Sequence, residues 1–174
     1  HETSRWIAEQ LEGFGGLTVL RPTTTGVVAT LKGGRPGGRC IALRADIDAL
    51  PITEETGLPF ASLNEGSMHA CGHDGHTAVL LAVARGLAAQ REELAGEIRF
   101  VFQHAEELPP GGAREIVASG VLDGVEAVLG CHLWSTFEAG KVSVSPGPVM
   151  AAADFFEGTI EGLGGHGAFP HETV

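Results

Sequence analysis

Residues 96–107, GEIRFVFQHAEE, decide the fold, because an apolar run that stops in a cluster of reactive side chains repeats along this chain. Residues 96–103 read as a buried strand. Upstream, Val79, Leu80, Val83, Leu87 and Ala88 recur at three- and four-residue spacing between His76 and Leu94, which predicts a helix packing one stripe on something flat. Downstream, GGAREIVASG (111–120) predicts a short helix stopped by glycine, and VEAVLGCHL (125–133) another buried, nearly continuous apolar strand. Strand, helix, strand, helix, strand implies an α/β fold, a mostly parallel sheet flanked by helices.

The N-terminal part extends this pattern. TSRWIAEQLEG (3–13) predicts a helix with Trp6, Ile7 and Leu11 on one face and Thr3 or Ser4 as N-cap. LTVLR (17–21), GVVATLK (26–32) and CIALRADI (40–47) read as strands, and GGRPGG (33–38) as a turn. The Pro/Gly stretch SPGPVMAAAD (145–154) marks a domain boundary, giving domains 1–148 and 149–174, and DFFEGTIEG (154–162) alternates like the first strand of the second domain.

Composition narrows the function. With 43% apolar residues, 174 residues suffice for a buried core. A net charge of -11 argues against nucleic-acid or anionic-membrane partners and favours small molecules or metal cations. Three cysteines, at 40, 71 and 131, make no disulfide framework, so a reducing cytoplasm is expected. No apolar run reaches the ~18 residues of a membrane span, and the first residues lack signal-peptide features. The chain starts without Met and stops at Thr173-Val174 after a Pro-His turn, and it reads as a fragment.

Three predicted strands release acids or histidines at their C-terminal ends: Asp46 and Asp48, then His104, Glu106 and Glu107, then Cys131 and His132. In open α/β sheets the ligand crevice lies outside those ends, so the clusters should meet on one rim near HACGHDGH (69–76). Cys71 and His73, two apart, would point the same way in an extended segment, whereas the neighbours Glu106 and Glu107 would point apart, one to bind metal and one to move protons. Sulfur, imidazole and carboxylate together suit zinc or a similar transition ion.

Plainer readings compete at each position. Cys71 and His73 alone would be a buried thiol and a surface histidine, and only the convergent clusters favour a metal site. Cys131 and Cys40 are expected in the core, with His132 the better ligand. Glu106 and Glu107 can be a solvated acidic tip. Asp46 and Asp48 form a DxD pair that could hold Mg²⁺ for phosphoryl transfer, but this leaves the other clusters idle. EGLGGHG (161–167) matches GxGxxG without a following apolar helix, and its His166 divides evenly between a loop residue and a functional one. A metal-binding module without catalysis, or an inactive fragment, is the remaining alternative. No role is assigned to His69, His76, His104 or His171.

Taken in order, RADIDALPI, MHACGHDGHTA, FQHAEELPPGGA, GCHLWS and GLGGHGAFPH resemble the aminoacylase and carboxypeptidase family of dinuclear metallohydrolases, in particular the branch of hippurate hydrolase and indole-acetyl-amino-acid hydrolase. The resemblance implies a zinc-exopeptidase-like catalytic domain, truncated here, interrupted by a smaller α+β lid and dimerisation domain. It implies two divalent ions per site, Zn²⁺ or Mn²⁺ with Co²⁺ or Ni²⁺ as alternatives, held by Cys71, His73, Glu107 and His132. It implies Glu106 as general base toward a metal-activated water, Asp48 as an orienting acid, and His166 as a lid histidine reaching the partner subunit of a homodimer. The activity implied is hydrolysis of the amide bond of N-acyl amino acids or similar small amides. Two departures stand out: His104 replaces a common Pro, and the family's last metal-binding histidine lies in a part of the relatives beyond residue 174.

Overall fold

The computed structural model describes residues 1–152, 154 and 156–172 of the chain. The apolar run before His104 is strand β4 (Ala95–Gln103), which pairs in parallel with β3 (Arg35–Asp46) and antiparallel with β2 (Val27–Lys32). Strand β1 (Leu17–Leu20) adds antiparallel to β2, and β5 (Ala127–Gly130) adds parallel to β3, giving the order β1-β2-β4-β3-β5. The α/β fold and its flanking helices are as expected. The sheet is mixed, its parallel part confined to β4, β3 and β5, because a short link returns β1 into β2 antiparallel while the crossover from β3 to β4 carries a helix.

Residues 33–38 form a turn only at Gly33-Gly34. From Arg35 the chain is already β3, with a register shift between Arg35 and Cys40. Gly38, at φ 93°, lies so close to the backbone of Ala95 and Gly96 that a Cβ would overlap it. Glycine therefore makes an extended route open where sequence signals alone indicate a turn.

Alternation along β2 and β4 divides the core between two faces. On one, Ile7 and Leu11 of α1 (Glu2–Gly13) and Leu80, Leu81 and Ala84 of α2 (His73–Ala89) cover Val27, Ala29, Leu31, Phe100 and Phe102. On the other, Ile116 of α3 (Gly112–Ala118) covers Val28, Ala42 and Val101. Helices on both faces explain why the C-terminal half of β4, Phe100-Val101-Phe102, is continuously apolar and buried rather than alternating.

Five local expectations are corrected. Helix α1 begins at Glu2 without a side-chain cap; Ser4 is buried and accepts a hydrogen bond from Arg21 Nη2 at 3.0 Å, and Trp6 stands half-exposed. The inward face of α2 is His73, His76, Thr77, Leu80, Leu81 and Ala84, whereas Val79 and Val83 are exposed. That helix is apolar on more than one side, so spacing alone does not choose its face. Strand β5 is an exposed edge strand and Cys131 is exposed with it, because an apolar run does not distinguish an edge from a centre.

The chain falls into two units, His1–Ser135 and Thr136–Val174. Local features of the second include a Lys141–Glu138 ion pair and a 3₁₀ turn at Pro170–Glu172. The strand expected over 154–162 is not formed at Asp154 or at residues 156–162, and Phe155 lies outside the described residues. No strand pairs with this stretch among the described residues, and an alternating sequence without a partner leaves its backbone groups unsatisfied.

Phe100 is fully buried under α1 and α2. Phe100→Ala should destabilise the protein by about 3–5 kcal/mol in denaturant unfolding, and a loss below about 1 kcal/mol would contradict this core assignment.

Candidate metal centre

Parallel pairing puts the C-terminal ends of β3, β4 and β5 on one edge of the sheet, and helix α2 starts beside them. Asp46 closes β3, and Asp48 follows after Ile47, whose N–H is tied to Gln103 O at the end of β4 at 2.9 Å. Gly72, at φ 82°, turns the chain into α2, so that His73 opens the helix facing the strand ends.

His73 is buried, and its Nδ1 donates to the Asp48 carbonyl at 3.0 Å. That bond leaves Nε2 with a free lone pair. This atom is buried and has no hydrogen-bond partner, lying 3.7 Å from Asp46 Oδ2 and 3.8 Å from Glu107 Oε1. A buried nitrogen without a partner is costly, and a metal ion is the ligand that its surroundings fit. His132, two residues beyond β5, is oriented alike: Nδ1 donates to Leu133 O at 2.5 Å and Nε2 lies 3.5 Å from Cys71 Sγ.

Donor atoms of Cys71, His73 and His132 lie within 4.8 Å of one another, as do those of His73, Glu106 and Glu107. His73 belongs to both groups, so thiol, imidazole and carboxylate share one centre. The expectation that Glu106 and Glu107 point apart is corrected by this convergence. It assumed extended backbone, but Ala105 takes φ 48° and the chain bends after β4. A non-glycine residue in the left-handed region is strained, and such strain concentrates at functional sites.

Asp48 touches both sides of the centre. Its carbonyl holds His73, and its Oδ2 accepts the Glu107 backbone N–H at 3.1 Å. Asp46, His73 and His76 form a third close group, but both His76 nitrogens are occupied: Nδ1 by Asp46 Oδ1 at 2.5 Å, Nε2 by the Leu133 N–H at 2.8 Å. Burial alone would raise the Asp46 carboxyl, but the hydrogen bond from His76 and the charge of Arg44 outweigh it and hold the group below its usual range. Arg44 contributes directly, donating to Asp46 Oδ2 at 2.8 Å and to Gln103 Oε1 at 2.9 Å. Burial, with the acids Glu107, Glu106 and Asp46, pushes the Cys71 thiol up.

His166 lies in the second unit, where its Nδ1 accepts the Ala168 N–H at 3.1 Å. Cys40 is half-buried with Sγ 3.7 Å from Glu97 Oε1, and His104 sits between Thr23 and Glu115 at 3.3 Å from each. Sequence reasoning missed His76, Arg44 and Gln103. For His76 a signal existed: it stands three residues after His73, hence on the same face of a helix.

The model of peptidase family M20/M25/M40 matches residues 42–171. An N-acyl-L-amino acid amidohydrolase of Geobacillus stearothermophilus is 56% identical over 99% of this chain and 46% of its own length. An N-acetylcysteine deacetylase of Bacillus subtilis strain 168 is 47% identical over 98% of this chain and 43% of its own. Among solved structures, the Bacillus subtilis protein YXEP, described as a dinuclear metal binding peptidase from the M20 family, is 50% identical with a TM-score of 0.71, over 75% of this chain and 36% of its own. The chain thus spans less than half the length of the relatives it matches.

The raised Cys71 thiol gives a chemical test. In metal-free protein at neutral pH, alkylation of Cys71 should be slower than that of exposed Cys131, and Glu107→Gln should quicken it by removing the charge that disfavours thiolate. Preferential labelling of Cys71 would contradict this account.

Proposed function

The chain belongs to peptidase family M20/M25/M40, and on that premise we propose that the whole protein is a metal-dependent amidohydrolase cleaving N-acyl amino acids into a carboxylic acid and an amino acid. The carrying observation is the buried, partnerless His73 Nε2 among thiol, imidazole and carboxylate donors. Cys71, His73, Glu107 and His132 would hold two divalent ions, zinc or manganese first and cobalt or nickel as alternatives. Such ions supply Lewis-acid polarisation of the scissile carbonyl and of water.

The residues of the chain do the rest. Glu106, the exposed member of its acidic pair, would take the proton of the attacking water and return it to the amine as the C–N bond breaks. Asp48 keeps His73 and Glu107 in place through its carbonyl and carboxylate. His166 would donate to the developing oxyanion of the partner subunit's site in a homodimer formed by the lid domain. The catalytic domain would run to residue 148 and the lid from 149. The names of the relatives, an N-acyl-L-amino acid amidohydrolase and an N-acetylcysteine deacetylase, support the substrate class. Among the described residues no helix is long and apolar enough to cross a membrane.

In the whole protein, Glu106→Gln should lower turnover of an N-acyl amino acid by about 10²–10⁴-fold with metal content unchanged, while Glu107→Gln should lower metal content itself. Near-normal turnover by Glu106→Gln would overturn the base assignment.

A further inference from the structure

Helix α2 carries a second buried histidine that faces the strand ends, and it is not free to bind metal. Asp46 Oδ1 sits 2.5 Å from His76 Nδ1, and the Leu133 N–H points at His76 Nε2 at 2.8 Å. The second contact settles the tautomer. An amide donates, so Nε2 must be the unprotonated nitrogen, and Nδ1 then carries the proton that Asp46 accepts. Asp46 is fixed in turn by Arg44, which also holds Gln103, so one chain of hydrogen bonds ties the ends of β3 and β4 to α2 and to the segment after β5.

Leu133 is where this chain meets the metal centre. Its N–H is held by His76, and its carbonyl accepts Nδ1–H of His132 at 2.5 Å. One peptide residue is thus gripped on both polar groups, and the second grip leaves His132 Nε2 turned toward Cys71. The side chain of Leu133 rests on the first turn of α2, its Cδ1 filling the place a Cβ at Gly75 would take. Strand β5 ends at Gly130 as an exposed edge, so the sheet alone does not fix the residues beyond it.

We propose that His76 is a positioning residue for the metal centre: locked by Asp46 with Nδ1 protonated, it accepts the Leu133 amide and so aims His132 at the site shared with Cys71 and His73. This rests on the reading of His132 as a metal ligand. His76 touches neither substrate nor metal, and acts through Leu133.

Asparagine and glutamine separate its two contacts. His76→Asn keeps a donor near the position of Nδ1 but offers Leu133 nothing, whereas His76→Gln keeps an acceptor near the position of Nε2. In the full-length protein, chelator competition with Zn²⁺ should show His76→Asn binding about 10-fold or more weakly, with His76→Gln recovering most of the loss. Nitrogen NMR of the histidine-labelled wild-type protein should show His76 protonated at Nδ1 and a hydrogen-bond coupling between Nε2 and the Leu133 amide. This second measurement needs no variant to fold. Wild-type Zn²⁺ affinity in His76→Asn, or a proton on Nε2 of His76, would overturn the proposal. Failure of the underlying function would look different: the wild-type protein itself would take up no metal.

Discussion

β3 is hydrogen-bonded in parallel to β4 on one side and to β5 on the other, and that pairing sends Asp46, Gln103 and Gly130 to the same edge of the sheet. Everything reactive then follows from chain direction. Asp48, Glu106, Glu107 and His132 lie within a few residues of those ends, and the crossover helix that makes β3 and β4 parallel begins with His73 at the same edge. A shift of the pairing by one residue would turn Ala45 and Phe102 out of the core and withdraw Asp46 from His76.

Electrostatics explains why such a rim calls for cations. Glu106 and Glu107 converge near a buried imidazole, Asp48 touches that imidazole, and Asp46 is held ionised by Arg44 and His76. Like charges this close repel, and a divalent ion is the strongest local offset. The net charge of the chain adds to that bias toward cations. A metal held by Cys71 would have to replace the thiol proton, whose hold is strengthened by burial and nearby acids, so on the proposed ligation metal affinity would rise with pH.

Much of this was legible in the sequence, for identifiable reasons. Apolar runs that stop at Asp46, Glu106 and His132 announce strand ends, and strand ends of a parallel sheet share a rim. What escaped was set by backbone torsion or by neighbours. The left-handed turn at Ala105 brings Glu106 and Glu107 together, and nothing about an alanine announces it. The exposure of Val79, Val83, Leu129 and Cys131 depends on what packs beside β5, which hydropathy does not encode. His76 was visible only as one histidine among several; its partners Asp46 and Leu133 are thirty and fifty-seven residues away in the chain.

The central claim is that a thiolate and imidazoles from separate elements converge on one divalent centre. X-ray absorption at the zinc edge of the zinc-loaded full-length protein tests it most directly. The account predicts a sulfur scatterer at about 2.3 Å beside nitrogen and oxygen, lost in Cys71→Ser. A wild-type shell of nitrogen and oxygen alone would contradict it.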